Sequence, residues 1–365
     1  MRLGFFIFTL FPLLGQLYVM WRIWHILPLS LAYKIIIMLL LVGAFSCLFF
    51  NFSTYKERLS IPTSTILYEV GTSWLFILLY LFMIFLVLDL GRLFHLIPSS
   101  FLLHNKVTSV GITVFMLGLF IYGNIHYNHK VRKEINLVSE KSLDQNIRLV
   151  MISDLHLGYH NRRAELGKWV AKINSENPDI VLIAGDIIDN SVRPLMAENT
   201  AEEFRRINAP IYACLGNHDH FSRGQAAQKF MDDAGIILLK DSVIQWHDQI
   251  NIVGRDDRSN RYRKEICTLL KETDKSKYTI LLDHQPFQLE LTEQNGIDFQ
   301  FSGHTHYGQV WPISWITKAI YEDAYGPYQK GKTFYYVSSG IGIWGGKFRI
   351  GSCSEYVVVT INTIN

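Results

Sequence analysis

Four long apolar runs crowd the start of this chain, at residues 5–20, 33–50, 73–90 and 109–125. A helix needs about 20 predominantly apolar residues to cross ~30 Å of hydrocarbon, and each run is close to that length. Each carries at most one formal charge near an end, such as Lys34 or Asp89. Trp21, Trp24, Trp74 and Tyr122 sit near the edges, with Arg22, Arg92 and Lys106 just outside. That is the composition of a membrane–water boundary. Charged residues are only 18% of the chain, against about 25% in an ordinary soluble domain. Disorder is excluded, because disordered segments are poor in apolar residues and rich in charge. A leader peptide starting at Arg2 is the competing reading of the first run. It lacks a small-x-small cleavage site, and three more spans follow it. The expectation is therefore a four-helix transmembrane region over residues 1–128.

Four crossings return the chain to the side on which it began. That side carries Arg2, Lys56, Arg58, Lys130, Arg132, Lys133 and Lys141, and the other carries Arg22, Lys34, Arg92 and Lys106. The excess of basic residues predicts a cytoplasmic catalytic region in a multi-pass membrane protein. Residues 129–146 are polar and charged, and read as a juxtamembrane linker whose Lys130, Arg132 and Lys133 face anionic headgroups. The formal charge of +3 argues against a nucleic-acid partner in the absence of a local basic patch. Cys47, Cys214, Cys267 and Cys353 form no CxxC pair and read as unpaired thiols.

From residue 147 onward short apolar runs alternate with amphipathic stretches. Strands are expected at residues 147–153, 179–184 and 211–215, with helices at 163–177, 194–208 and 224–234 between and after them. Further strands follow at 250–253, 279–282, 299–301, 333–337 and 356–361. The expected architecture is a layered α/β domain over residues 147–365 with two sheets.

The informative residues stand where these strands stop: Asp154 and His156, Gly185-Asp186, Gly216-Asn217-His218-Asp219, Asp283-His284, and Gly303-His304-Thr305-His306. In open α/β sheets, ligands bind outside the carboxyl ends of the strands. The set offers carboxylates, imidazoles and an amide oxygen, and no thiolate. Such donors suit Mn²⁺, Fe or Zn²⁺ rather than a structural cysteine-type zinc site. Seven ligands exceed the need of one ion that also holds water, and suffice for two if one carboxylate bridges. Two ions about 3.5–4 Å apart clamp the attacking and leaving oxygens of a displacement at phosphorus.

In this order the motifs D-x-H, G-D, G-N-H-D, H and G-H-x-H resemble the calcineurin-like metallophosphoesterase family, in its bacterial membrane-associated branch. The resemblance runs from about Ile147 to Ile361, and Tyr307 stands where that branch usually has glycine. It implies a two-sheet αββα sandwich and two divalent ions, Mn²⁺ first, with Fe or Zn²⁺ as alternatives. Asp154, His156 and His306 would bind the first ion, Asn217, His284 and His304 the second, and Asp186 would bridge them. His218 would protonate the leaving group and Asp219 would orient it, with metal-activated hydroxide as the attacking group. A phosphodiester or pyrophosphate bond is the implied target, and a bacterial inner membrane the implied location.

Four spans exceed what a tether needs, which favours a phosphorylated lipid substrate such as UDP-diacylglucosamine over a soluble small molecule. The apolar segment 310–320, with Trp311, Ile313, Trp315 and Ile316, and the glycine loop 340–346 before Lys347 and Arg349, border the expected site. A catalytically silent membrane sensor or scaffold is the contrasting class. The intact ligand set argues against it.

Overall fold

The computed structural model describes residues 2–51, 53–222 and 224–363, the side chains of residues 2–9 and 54 excepted. The first residue of the expected membrane region and the last two of the catalytic domain lie outside them. The chain forms two compact units, Met1–Ile125 with Gly345–Lys347, and His126–Trp344 with Phe348–Asn365.

In the first unit the apolar runs form α1 (Arg2–Ile26), α2 (Leu31–Phe50), α3 (Ile61–Leu93) and α4 (Lys106–Asn128), the last three residues of α4 belonging to the second unit. Among the described residues α2, α3 and α4 are long and apolar enough to cross a membrane. The run expected as a further span, residues 5–20, forms part of α1 and begins on residues whose side chains are not described. Leu39, Leu40, Val107, Val114 and Ile121 are exposed, an orientation that water disfavours and hydrocarbon accepts. Polar groups face inward instead. Asp89 of α3 pairs with Arg22 of α1, and the Trp74 indole donates to Gln16 Oε1 at 2.9 Å. Each such pair removes an unsatisfied polar group from a low-dielectric region. At Gly71 of α3 a methyl group would strike the backbone of Cys47 and Leu48, so α2 and α3 meet backbone to backbone.

Among the described residues the second unit contains twelve strands. They are β1 (Lys130–Val138), β2 (Ile147–Ile152), β3 (Ile180–Ala184), β4 (Ile211–Cys214), β5 (Ile236–Leu238) and β6 (Ser242–Trp246), followed by β7 (Ile250–Gly254), β8 (Tyr278–Leu282), β9 (Phe299–Ser302), β10 (Gly326–Lys330), β11 (Thr333–Val337) and β12 (Ser354–Asn362). One sheet has the order β1-β12-β2-β3-β4-β5 and the other β10-β11-β9-β8-β7-β6. Side chains alternate across each strand. Leu149 and Met151 of β2 join Leu182, Ile252, Ile280 and Phe301 in the core between the sheets. Val150 and Ile152 face the other way, beneath Leu166, Trp169 and Ile173 of α5 (Arg163–Ser175). Because both faces of β2 and β3 are covered, β3 reads as an unbroken apolar run and β2 as one interrupted only by Arg148. The result is the expected αββα sandwich.

Two expectations need correction. Residues 129–146 are not a linker throughout, since Lys130–Val138 forms β1 and pairs in parallel with β12 along its whole length. Its Val131, Ile135 and Leu137 are half-buried while Arg132, Glu134 and Asn136 are exposed. That alternation marks a charged edge strand, which discourages pairing with other chains. The helix expected at 194–208 is broken into Arg193–Ala197 and Ala201–Phe204, with Asn199 left-handed between them at φ 51°.

Candidate metal centre

Strands β2, β3 and β4 run parallel, as do β8 and β9 in the facing sheet, so each group delivers its carboxyl ends to one edge. Backbone contacts hold the loops of each edge together, and an amide-to-carboxylate bond joins the two edges. The Asp154 amide donates to Gly185 O at 3.1 Å and the Gly303 amide to His284 O at 2.9 Å. The His304 amide donates to Asp154 Oδ1 at 3.0 Å. Asp154, Asp186 and His284 are almost completely buried.

All seven expected ligands converge. Asp154, His156 and His306 form one group with ligand atoms within 4.8 Å of one another, and Asp186, His284 and His304 form another. Asn217 Oδ1 completes the second group, 2.8 Å from His304 Nδ1 and 3.2 Å from His284 Nε2. Asp186 Oδ2 lies between the groups, 3.2 Å from His284 Nε2 and 3.6 Å from His156 Nε2. His284 Nδ1 is 2.8 Å from the Ala184 carbonyl, to which it donates, and Nε2 faces the centre. Burial opposes charge on this ring, but the Asp186 and Asp154 carboxylates outweigh it and hold its pKa well above the usual imidazole value. His156 Nε2 and His306 Nε2 face each other at 3.1 Å. Burial and the neighbouring His156 hold His306 well below the usual imidazole pKa. Burial and His284 hold His304 at about 4. Imidazoles crowded against buried carboxylates are a cation-binding arrangement, and the donor set fits two divalent ions of borderline hardness.

The backbone is bent to make this arrangement. Asp154, His156, Asp186, His304 and His306 adopt left-handed φ values between 45° and 70°, a region costly for residues with a Cβ. Two glycines make room. A methyl group on Gly216 would strike the Asp186 carboxylate, and one on Gly303 would strike that of Asp154.

His218 lies beside this pair of groups, its ring edge-on to His156 with centroids 4.6 Å apart. Here the orienting residue expected from the sequence is wrong. Asp219 points away and accepts from the backbone amides of Gly216, Ile187 and Ile188. It braces the loops carrying Asp186 and Asn217, and burial together with Asp186 raises its pKa to about 6. The residue that engages His218 is Asp189, whose Oδ1 is 2.7 Å from His218 Nδ1. Asp189 is buried and was readable only as a turn or cap residue three positions after Asp186. Burial opposes charge on His218, but the Asp186 and Asp189 carboxylates outweigh it and hold its pKa up at about 9.

Other side chains support the centre in roles the sequence did not assign. Asp257 is buried and accepts from the Gln285 amide at 2.8 Å, beside His284. Asp283 is engaged by Arg255 and Arg263 at 3.2 and 3.1 Å. Arg349 is fully buried and donates to the carbonyls of His306 at 2.8 Å and Gly342 at 3.1 Å. It ties the second histidine of G-H-x-H to the glycine loop. Glu355 receives the Tyr325 hydroxyl at 2.8 Å.

The chain matches the calcineurin-like phosphoesterase family over residues 147–308. An uncharacterized metallophosphoesterase of Helicobacter pylori strain J99 is 31% identical over 255 residues, covering 67% of this chain and 68% of that protein. A transmembrane protein with metallophosphoesterase domain from Danio rerio is 28% identical over 359 residues, covering 90% and 80%. Among solved structures, a 5'-nucleotidase precursor from Thermus thermophilus aligns at 13% identity and a TM-score of 0.38 over 60% of this chain. The chain spans about half of that structure, 54% of its length.

Proposed function

This chain belongs to the calcineurin-like metallophosphoesterase family, and from that premise we propose that it is a membrane-bound hydrolase of phosphodiester or pyrophosphate bonds. The observation that carries the reading is the position of Asp186 between two ligand groups, with the His218 ring beside them. Asp154, His156 and His306 would hold one divalent ion and Asn217, His284 and His304 the other, with Asp186 shared. Mn²⁺ is the first choice for both. When bound, the two ions supply the Lewis acidity that activates water and neutralises charge on the phosphoryl oxygens.

The remaining roles fall to side chains. His218, protonated at neutral pH and oriented by Asp189, donates its proton to the leaving oxygen. Asp219 keeps the loops carrying Asp186 and Asn217 in register. Arg349 holds the His306 backbone. A lipid-linked substrate, of which UDP-diacylglucosamine is one form, is supported by the helix Ile313–Ile320 directly after the histidine motif. That segment exposes Trp311, Trp315, Ile316 and Ile320, a combination suited to the membrane interface. The catalytic domain is assigned to the cytoplasmic side of a bacterial inner membrane, from the distribution of basic residues.

The test is hydrolysis of bis(p-nitrophenyl) phosphate by the full chain in detergent with Mn²⁺, with and without chelator. Chelator-sensitive turnover is expected. No turnover on this or on a lipid pyrophosphate would leave a ligand-sensing domain. Equal rates on lipid pyrophosphates and soluble diesters would remove the lipid part of the proposal.

A further inference from the structure

Beside the two histidines of the G-H-x-H motif stand two cations that the hydrolytic reading does not use. The Arg258 guanidinium lies over the Phe287 ring, 4.0 Å from its centroid. Phe287 in turn contacts Tyr321 at 4.7 Å, and Tyr321 meets the ring of His304 edge-on at 6.2 Å. On the other side, Lys318 Nζ stands 5.3 Å from the centroid of Tyr307, the residue following His306. Tyr307 is stacked on Tyr325 at 4.8 Å.

Both cations are exposed, and among the described residues neither forms an ion pair or a hydrogen bond. Several arginines elsewhere in the same domain are matched by carboxylates: Arg162 by Glu198, Arg163 by Glu202 and Glu203, and Arg263 by Asp283. An aromatic face orders a cation without neutralising it. A guanidinium held flat on a ring keeps its N–H edges free for a bidentate acceptor. Cations ordered in this way beside metal-ligand histidines are placed to receive negative charge that the metal centre itself does not bind.

We propose that Arg258 and Lys318 form a second anion site, which takes a phosphate or carboxylate of the substrate other than the phosphoryl group being cleaved. This rests on the hydrolytic reading and narrows its substrate class to compounds with at least two separated anionic groups, which sets aside UDP-diacylglucosamine, whose two phosphates are directly linked.

The experiment uses two probes that cannot be hydrolysed, hexylphosphonate and 1,6-hexanediyl bisphosphonate. Each is titrated calorimetrically into the full-length, Mn²⁺-loaded protein in detergent. The bisphosphonate should bind at least about tenfold more tightly, the scale of a charge-assisted hydrogen bond. Arg258→Gln combined with Lys318→Gln should erase that advantage, and Arg258→Lys should retain part of it. Retained hexylphosphonate binding shows that the variant is folded. Equal affinity of the two probes in the unaltered protein, binding of neither, or an advantage surviving the double substitution overturns the second site. A tenfold advantage in a protein that cleaves no ester leaves the site standing and removes the hydrolytic reading. Cleavage without the advantage does the reverse.

Discussion

The two units of this chain invert the usual relation between polarity and exposure. In the helical unit leucines stand outward, as Leu39 and Leu40 do, while Gln16, Arg22 and Lys34 are buried. In the catalytic unit the exposed face of β1 is charged, and Asp154, His156, Asp186 and His284 are buried. The causes differ. The first inversion reflects a solvent in which apolar side chains are at ease and polar ones need internal partners. The second reflects a site whose buried charges await counter-ions, because a cluster of carboxylates and imidazoles is costly to bury unless something is bound there. Burial of a polar group therefore means internal pairing in one unit and readiness for a ligand in the other.

The sharpest way to break this comparison is to remove Asp186. Asp186→Ala takes away the carboxylate positioned between both ligand groups. Metal content should fall at both positions, and turnover should drop by more than the roughly 10–100-fold that outer-shell substitutions cost. Elemental analysis beside a rate measurement checks it. Retention of both ions would show that the buried carboxylate is structural, like the inward-facing groups of the helical unit.

His218 separates holding metal from using it. His218→Asn should keep both ions and lower kcat by about 10²–10⁴-fold, the range for a positioned general acid. The pH profile supplies the sign. The reaction needs His218 protonated, and its pKa is held up at about 9 by Asp186 and Asp189 against burial. Bound dications oppose a further positive charge and move that value down. The rate should thus be sustained at neutral pH and fall along an alkaline limb below about 9. Asp189→Asn should shift the limb lower, whereas Asp219→Asn should leave it in place. A limb displaced by Asp219→Asn and untouched by Asp189→Asn would reverse the assignment made from the 2.7 Å contact.

That assignment also marks where sequence reading stops. The seven ligands were legible because each lies in a short contiguous motif at a strand end, and strand ends are visible as the point where an apolar run meets polar residues. Asp189 lies only three residues after Asp186, but its role depends on how the chain turns after β3 to meet the helix Asn217–Phe221. Asp219, next to His218 in the chain, looks the better partner because adjacency is the only distance a sequence offers. Strand β1 is hidden for another reason. Its exposed Arg132, Glu134 and Asn136 make the segment look solvated, and a period-2 pattern this polar does not stand out beside the membrane runs. Arg349 is a cation without a carboxylate, and its burial follows from carbonyls supplied by distant loops.

The helical unit is tested by the opposite substitution. Leu40 lies mid-way along α2 and is exposed. If lipid surrounds it, Leu40→Lys should oppose insertion by about 3 kcal/mol, the cost of a basic side chain at a helix centre. The reading is the fraction of protein recovered in membranes rather than its activity per molecule. Were α2 exposed to water, the same change would be neutral or helpful to solubility, and undiminished membrane recovery would count against the spanning assignment.

The smallest effect is expected where exposure carries its ordinary meaning. Lys332 lies in the turn between β10 and β11, with its amine 3.9 Å from Glu140 and both side chains almost fully exposed. At that distance in water, salt screens the attraction and the side-chain entropy lost on pairing cancels most of it. Lys332→Leu should therefore leave the thermal midpoint of the catalytic unit and its metal content unchanged, although it replaces charge with hydrocarbon just as Leu40→Lys does the reverse. A stability change above about 0.5 kcal/mol, the usual bound for surface substitutions, would mean that this turn is covered by something other than water. The exposed surfaces of the two units would then be more alike than the contrast between them allows.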